Sequence, residues 1–102
     1  MAKRATELSP NNATYLDTLA WVYYKLGEFE QAKKVMQQAM SFDRDNSSEL
    51  ALHYGDILDA LGNTFMAQTY WRKALERGAD ASKIESRIEA QKAREKLDKE
   101  KR

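Results

Sequence analysis

An all-α protein built from stacked antiparallel helical hairpins is what this sequence predicts, and three observations carry the prediction. Apolar residues recur at helical spacing through two stretches, residues 16–39 and 51–74. Each stretch is interrupted by a glycine, Gly27 in the first and Gly62 in the second. The second stretch repeats the landmarks of the first 35 residues further on, which marks an internal repeat.

Composition narrows the class before any motif is read. A chain of 102 residues, 42% of them hydrophobic, supports one modest core that buries roughly 60 to 65% of the unfolded surface, so residues 1–102 are expected to form one domain. There is no cysteine, which excludes a disulfide scaffold and thiolate metal sites. No apolar run approaches the roughly 18 residues that cross a bilayer, and residues 1–12 have a charged start without the apolar stretch of a signal peptide. Direct membrane contact is not expected, and the compartment stays open. Residues 81–102 hold eight Lys/Arg against five Asp/Glu, whereas residues 1–80 hold nine against eleven, so a mildly acidic body carries a mildly basic tail.

Each element follows from local chemistry. In residues 1–12, Ala5 and Leu8 are the apolar pair of a helix stub that Pro10 closes, and Asn11 or Asn12 is placed to cap the next helix. From residue 13, Leu16, Leu19, Ala20 and Tyr23 form one helical face, and Gly27 ends the helix as a left-handed C-cap. Phe29, Ala32, Val35, Met36 and Ala39 then define a second face, and so short a connection forces an antiparallel hairpin. The polar run 43–48 is a turn, with Asn46 and Glu49 spaced as a capping box. Ala51, Tyr54, Gly55 and Leu58 repeat the first face, and Ala67, Tyr70, Trp71 and Ala74 repeat the second. Small residues at 20, 32, 39, 55, 67 and 74 let helix axes approach closely, and Gly55 is read as such an approach site, with an ordinary tolerated glycine as its alternative.

These residues resemble the tetratricopeptide repeat family, matching its pattern loosely but in phase with Leu16-Leu19-Ala20-Tyr23 and Ala51-Tyr54-Gly55-Leu58. The resemblance covers residues 1–79: the end of a truncated repeat at 1–12, a repeat at 13–46 and a repeat at 47–79. Arg44 and Ala79 stand where the family usually has proline, and Leu16 and Ala51 where it usually has tryptophan. The 35-residue spacing is one longer than the usual period of about 34. Residues 15–27 and 53–62 also resemble the C-terminal ends of long bacterial tetratricopeptide proteins. The family implies a right-handed superhelix.

Residues 80–102 leave the pattern. Ser82 and Glu85 have the spacing of a helix start, and a capping helix with a charged tail is expected. Ala81, Ile84 and Ile88 share one side while Ala90, Ala93 and Leu97 lie opposite, so only the first half is expected to dock. Glu95 with Lys99, Arg94 with Asp98 and Lys96 with Glu100 are i,i+4 pairs, each contributing about 0.2–0.5 kcal/mol on an exposed helix. Without interleaved aromatics the tail does not read as a nucleic-acid arm. If the chain is cut from a longer one at its start, Tyr15, Leu19 and Tyr23 have lost most of the helix pair they would pack against, and self-association through that edge is expected.

Catalytic signatures are missing: no phosphate-binding glycine loop, no H-E-x-x-H, no calcium loop, and His53 is the only histidine. A non-enzymatic protein without cofactor or metal is expected. Asp56 and Asp59, spaced i,i+3, read as a solvated face. In the family the first helix of each repeat lines a concave groove that holds an extended peptide or a partner helix. The resemblance therefore implies a protein-interaction scaffold whose groove is formed by Thr14, Asp17, Trp21, Tyr24, Lys25, Glu49, Leu52, His53, Asp56 and Asp59. Trp21 offers large apolar area and a cation-binding face, its alternative being to pack on a neighbouring repeat that lies outside these 102 residues. Relatives that clamp acidic chaperone tails use Lys, Arg and Asn there; the carboxylates in this groove favour a basic peptide or protein instead. The other reading is an architectural C-terminal cap of a longer solenoid with no ligand site of its own.

Overall fold

The computed structural model of the protein describes residues 12–43 and 47–101. The stub around Ala5 and Leu8, together with Pro10, Asn11, Arg44 and Asn46, lies outside them. Five helices are described: α1 (Ala13–Lys25), α2 (Phe29–Phe42), α3 (Ser48–Ala60), α4 (Thr64–Glu76) and α5 (Ala81–Lys101). Among the described residues there is no strand, and no helix is long and apolar enough to cross a membrane. The fold is an all-α helical repeat in which α1–α2 and α3–α4 are hairpins and α5 follows.

Helix ends explain the hairpins. Asn12 Oδ1 accepts the N–H groups of Thr14 (2.9 Å) and Tyr15 (3.2 Å), satisfying two of the orphan donors of α1. At the other end Gly27 takes φ +82°, its N–H donates to the Tyr24 carbonyl, and the Glu28 N–H reaches back to Tyr23. A left-handed glycine with that pair of bonds turns the chain sharply. The same bonds recur at Gly62 and Gly78, so one turn chemistry is used three times.

Two starts differ from the sequence expectation. The side chain that caps α3 is Ser47, whose Oγ accepts the Leu50 N–H at 3.4 Å, in place of Asn46. For α5 the cap is Asp80: its Oδ1 accepts both the N–H and the hydroxyl of Ser82 at 3.0 Å, which leaves Ser82 inside the helix. Those donors hold the Asp80 carboxyl below the usual range, the backbone N–H contributing most.

The core follows the small-residue pattern. Leu16 and Ala20 of α1 are buried in one cluster with Ala32, Met36 and Ala39 of α2, and in the second hairpin Ala51, Gly55 and Leu58 are buried with Ala67, Trp71 and Ala74. Gly55 is a close-approach site. A β-carbon there would lie 2.4 Å from Trp71 Cδ1 and 3.0 Å from the Ala67 carbonyl oxygen. Leu19, expected in the packing face, is only half buried.

Helix α3 is enclosed on two sides, which the periodicity of its first face does not convey. Leu50, Tyr54 and Ile57 form a second buried stripe, and the Tyr54 hydroxyl accepts from Gln37 of α2 at 3.1 Å while its ring meets Tyr70 of α4 edge-on. Thirty-four residues on, Ile84, Ile88 and Gln91 of α5 have the same spacing; Ile84 and Gln91 are buried and Ile88 packs on the core. Docking of α5 therefore extends past its first half, through polar groups that an apolar pattern does not reveal. At the same 34-residue spacing, Glu85, Glu89 and Lys92 stand where α3 has Ala51, Gly55 and Leu58. The face that would receive another hairpin helix is thus charged, with Lys92 and Glu89 3.8 Å apart.

Candidate functional site

Helices α1, α3 and α5 present the faces not used in hairpin packing to one side of the molecule. At its centre Trp21 stacks with Tyr24 of its own helix (centroids 4.6 Å apart, planes at 11°) and with His53 of α3 (4.4 Å, 26°). Tyr24 also meets Phe29 at 5.5 Å, so a run of four rings crosses from α3 over α1 to the start of α2. Lys25 Nζ lies 5.3 Å from the Trp21 ring centre, within cation–π range. Trp21 is half buried and stacks on His53, which belongs to the next repeat of this chain, residues 47–79.

Charged groups are paired across helices. His53 Nδ1 donates to Asp17 Oδ1 at 2.8 Å, and its Nε2 lies 4.0 Å from Glu49. Burial pushes the imidazole pKa down, but the Asp17 hydrogen bond and charge, with Glu49 and Asp56, outweigh it and leave the value above 6.5. Asp56 is buried: its Oδ1 accepts Trp71 Nε1–H at 3.1 Å and Arg87 Nε at 2.6 Å, and its Oδ2 accepts Arg87 Nη2 at 3.0 Å. Asp59 accepts Arg94 Nη2 at 2.8 Å on both oxygens and Gln91 Nε2 at 2.8 Å, while Gln91 Oε1 accepts from Gln68 of α4 at 2.7 Å. The Tyr24 phenol is pushed up by burial and by these two aspartates, so it stays protonated.

Two of the expected residues offer less surface than the sequence suggests. Leu52 and Asp56, expected as open groove residues, are buried, at 8% and 7% exposure. The reason for Asp56 is that Arg87 and the Trp71 indole close over it. Asp59, read as part of a solvated face, is held by Arg94, which pairs across helices with it in place of the expected Asp98. The acidic character anticipated for the groove is therefore largely neutralised within the chain. Glu49, with a side chain 70% exposed, remains open.

All ten expected residues line clefts on this side. Trp21, Glu49, Leu52 and His53 border a cleft of about 590 Å³ closed by Lys83 and Arg87 of α5. Tyr24, Lys25, Asp56 and Asp59 border a second, of about 440 Å³, whose far wall is Arg87, Ala90 and Arg94; Trp21 lines both. Thr14 and Asp17 lie at the end of the groove with Glu49 and Ser47. Sequence reasoning missed the α5 wall. The signal that finds it is the 34-residue spacing, which puts Arg87, Ala90 and Ala93 at the positions of His53, Asp56 and Asp59. Asp17, Glu49 and His53 bring one ligand-type atom each within 4.8 Å of one another, but Asp17 occupies Nδ1, and the arrangement serves as a charge clamp between α1 and α3.

Antiparallel hairpins stacked so that their first helices line a common groove define a helical-repeat protein. Residues 13–46 match the family model described as Tetratricopeptide repeat. The fold is similar to the N-terminal domain of stress-induced protein-1 (STI-1) from C. elegans, with a TM-score of 0.68 over 83% of this chain and 74% of that one, at 18% identity. Residues 13–46 are thus similar to a tetratricopeptide repeat, a kind of repeat that is generally a protein–protein interaction module, and the fold of the chain is an all-α helical repeat.

Proposed function

We propose that this protein is a non-enzymatic interaction scaffold that holds a peptide or a partner helix in the groove between α1, α3 and α5. The observation that carries the reading is the stacked His53–Trp21–Tyr24 platform, which lies between two clefts and borders both. Half-exposed aromatic rings in a concave site supply contact area at low entropic cost and form the centre of many interfaces. The sequence favoured a basic ligand, and the pairing of Asp17, Asp56 and Asp59 reduces that preference to what Glu49 and the cation-binding face of Trp21 provide. The ligand this groove fits best therefore inserts an apolar or aromatic side chain beside Trp21 and sets a single Lys or Arg near Glu49. Selection of binders from a displayed peptide library tests this: enriched sequences carry that pair of features, and Trp21→Ala weakens their binding at least about tenfold, the loss typical of a hot spot. Binders that ignore Trp21→Ala refute the groove.

A second reading, an architectural cap, is favoured by Glu85, Glu89 and Lys92, which make the outer face of α5 unfit to receive another hairpin. It predicts that library selection returns no binder dependent on Trp21.

A further inference from the structure

The imidazole of His53 has a carboxylate at each of its nitrogens and an aromatic ring on its face. Nδ1 is 2.8 Å from Asp17 Oδ1 of α1, Nε2 is 4.0 Å from Glu49 one turn earlier on α3, and the ring stacks on Trp21 at 4.4 Å. A carboxylate only accepts, so the Asp17 bond keeps a proton on Nδ1 in either charge state of the ring. The second proton therefore arrives at Nε2, the nitrogen turned toward Glu49. With that proton the ring and Glu49 form an ion pair. Without it a lone pair faces the carboxylate, and Glu49, its side chain 70% exposed, is left to the cleft. The same proton sets a positive charge against the Trp21 ring, where the cation of a ligand would also sit.

We infer that His53 gates the groove by pH for a basic peptide: a lysine or arginine of the ligand and the Nε2 proton are alternative partners of Glu49 and Trp21, so binding the cation expels the proton. This rests on the proposed groove function and adds the condition under which the groove takes its ligand. Linkage fixes the sign. A cation that disfavours the imidazolium binds more tightly as pH rises through the titration of the ring, and the proton leaves to solvent. The other charges around the ring are already placed. Asp17 is committed to Nδ1 and Asp56 to Trp71 and Arg87, while Asp80, Lys83 and Arg87 border the cleft from the α5 side. Neither α2 nor α4 contributes a described residue to this cleft, and His53 is the only histidine in the chain. Burial lowers its pKa and the neighbouring carboxylates raise it, to a net value above 6.5, so the exchange falls near neutral pH.

The probe is a peptide selected on the full chain from a displayed library at about pH 8.5, compared with the same peptide carrying Gln in place of its Lys or Arg. Dissociation constants are measured by fluorescence anisotropy from about pH 5.5, above the ordinary carboxylate range, to about pH 8.5, below the ordinary lysine range. Selected peptides are expected to carry the cation and to bind about three- to tenfold more tightly at the upper end, the scale of two like charges about 5 Å apart at a protein surface. Calorimetry in two buffers of different ionisation enthalpy is expected to show protons released on binding. The Gln peptide on the unaltered protein, and the cationic peptide on His53→Gln or Glu49→Gln, are expected to give flat profiles. Glu49→Gln alters an exposed side chain, so the comparison holds even where His53→Gln melts early. Equal affinity at both ends, a slope that survives in either variant, or selected peptides that depend on Trp21 but carry no cation overturns the inference and leaves the groove standing. Peptides that ignore Trp21→Ala overturn the groove and this inference with it.

Discussion

Gly55 shows most directly how one residue sets the fold of this chain. Glycine inside a helix is disfavoured by about 1 kcal/mol against alanine, so propensity alone predicts that Gly55→Ala stabilises the protein. The Trp71 indole and the Ala67 carbonyl stand where the added carbon would go, neither of them the loose end of a side chain. The expected outcome is a net loss of about 1–3 kcal/mol in urea unfolding, the overpacking penalty exceeding the propensity gain. His53 gives a pH dependence whose sign is fixed by its raised pKa. A group bound more tightly to its proton in the folded state contributes stability in full below its unfolded value near 6.5, and loses it as pH rises through the higher folded value. Stability therefore declines as pH rises from about 6.5 toward weakly alkaline conditions, and His53→Gln, measured across the same pH series, removes that slope.

At the scale of elements, α5 is attached differently from the other helices. The four preceding helices are held by apolar faces and small-residue contacts, whereas α5 offers Ile84 and Ile88 and otherwise relies on Arg87, Gln91 and Arg94. Its two arginines are not equivalent. Arg87 covers a buried carboxylate, so Arg87→Met strands Asp56 with only the indole as donor and is expected to cost about 2–4 kcal/mol, near the range for breaking a buried pair. Arg94 is 55% exposed and Asp59 keeps Gln91, so Arg94→Ala is expected to cost less than about 1 kcal/mol. Chemical denaturation of the two variants separates these values. If they are equal, the polar attachment of α5 has been misassigned. This is also where the sequence was hardest to read. Glycine turns and alanine contacts are local or periodic signals, and Gly27, Gly62, Ala20 and Gly55 announced themselves. Asp56 and Arg87 are joined across a separation of 31 residues with nothing local to link them. Ile57 escaped notice because α3 is covered on two sides, which blurs a single-face pattern.

For the whole molecule, three first helices, α1, α3 and α5, create one continuous concave side, and the hairpin partners α2 and α4 provide the backing. The groove residues named from the sequence all line clefts on that side, because their 35-residue spacing is the repeat itself; what spacing could not show is which of their charges are already spent. Asp17, Asp56 and Asp59 hold helices together, and on the proposed function the aromatic run is then the part of the groove that meets a ligand. Since the two tryptophans have opposite roles, their indole N–H resonances provide the sharpest test of the groove. A peptide selected on the protein is titrated into it while both resonances are followed by nuclear magnetic resonance. Trp21, half buried beside both clefts, is predicted to shift most in the titration, and Trp71, 1% exposed at the floor of the second cleft with its N–H held by Asp56, to shift less. A saturable titration in which Trp21 does not move would contradict the account.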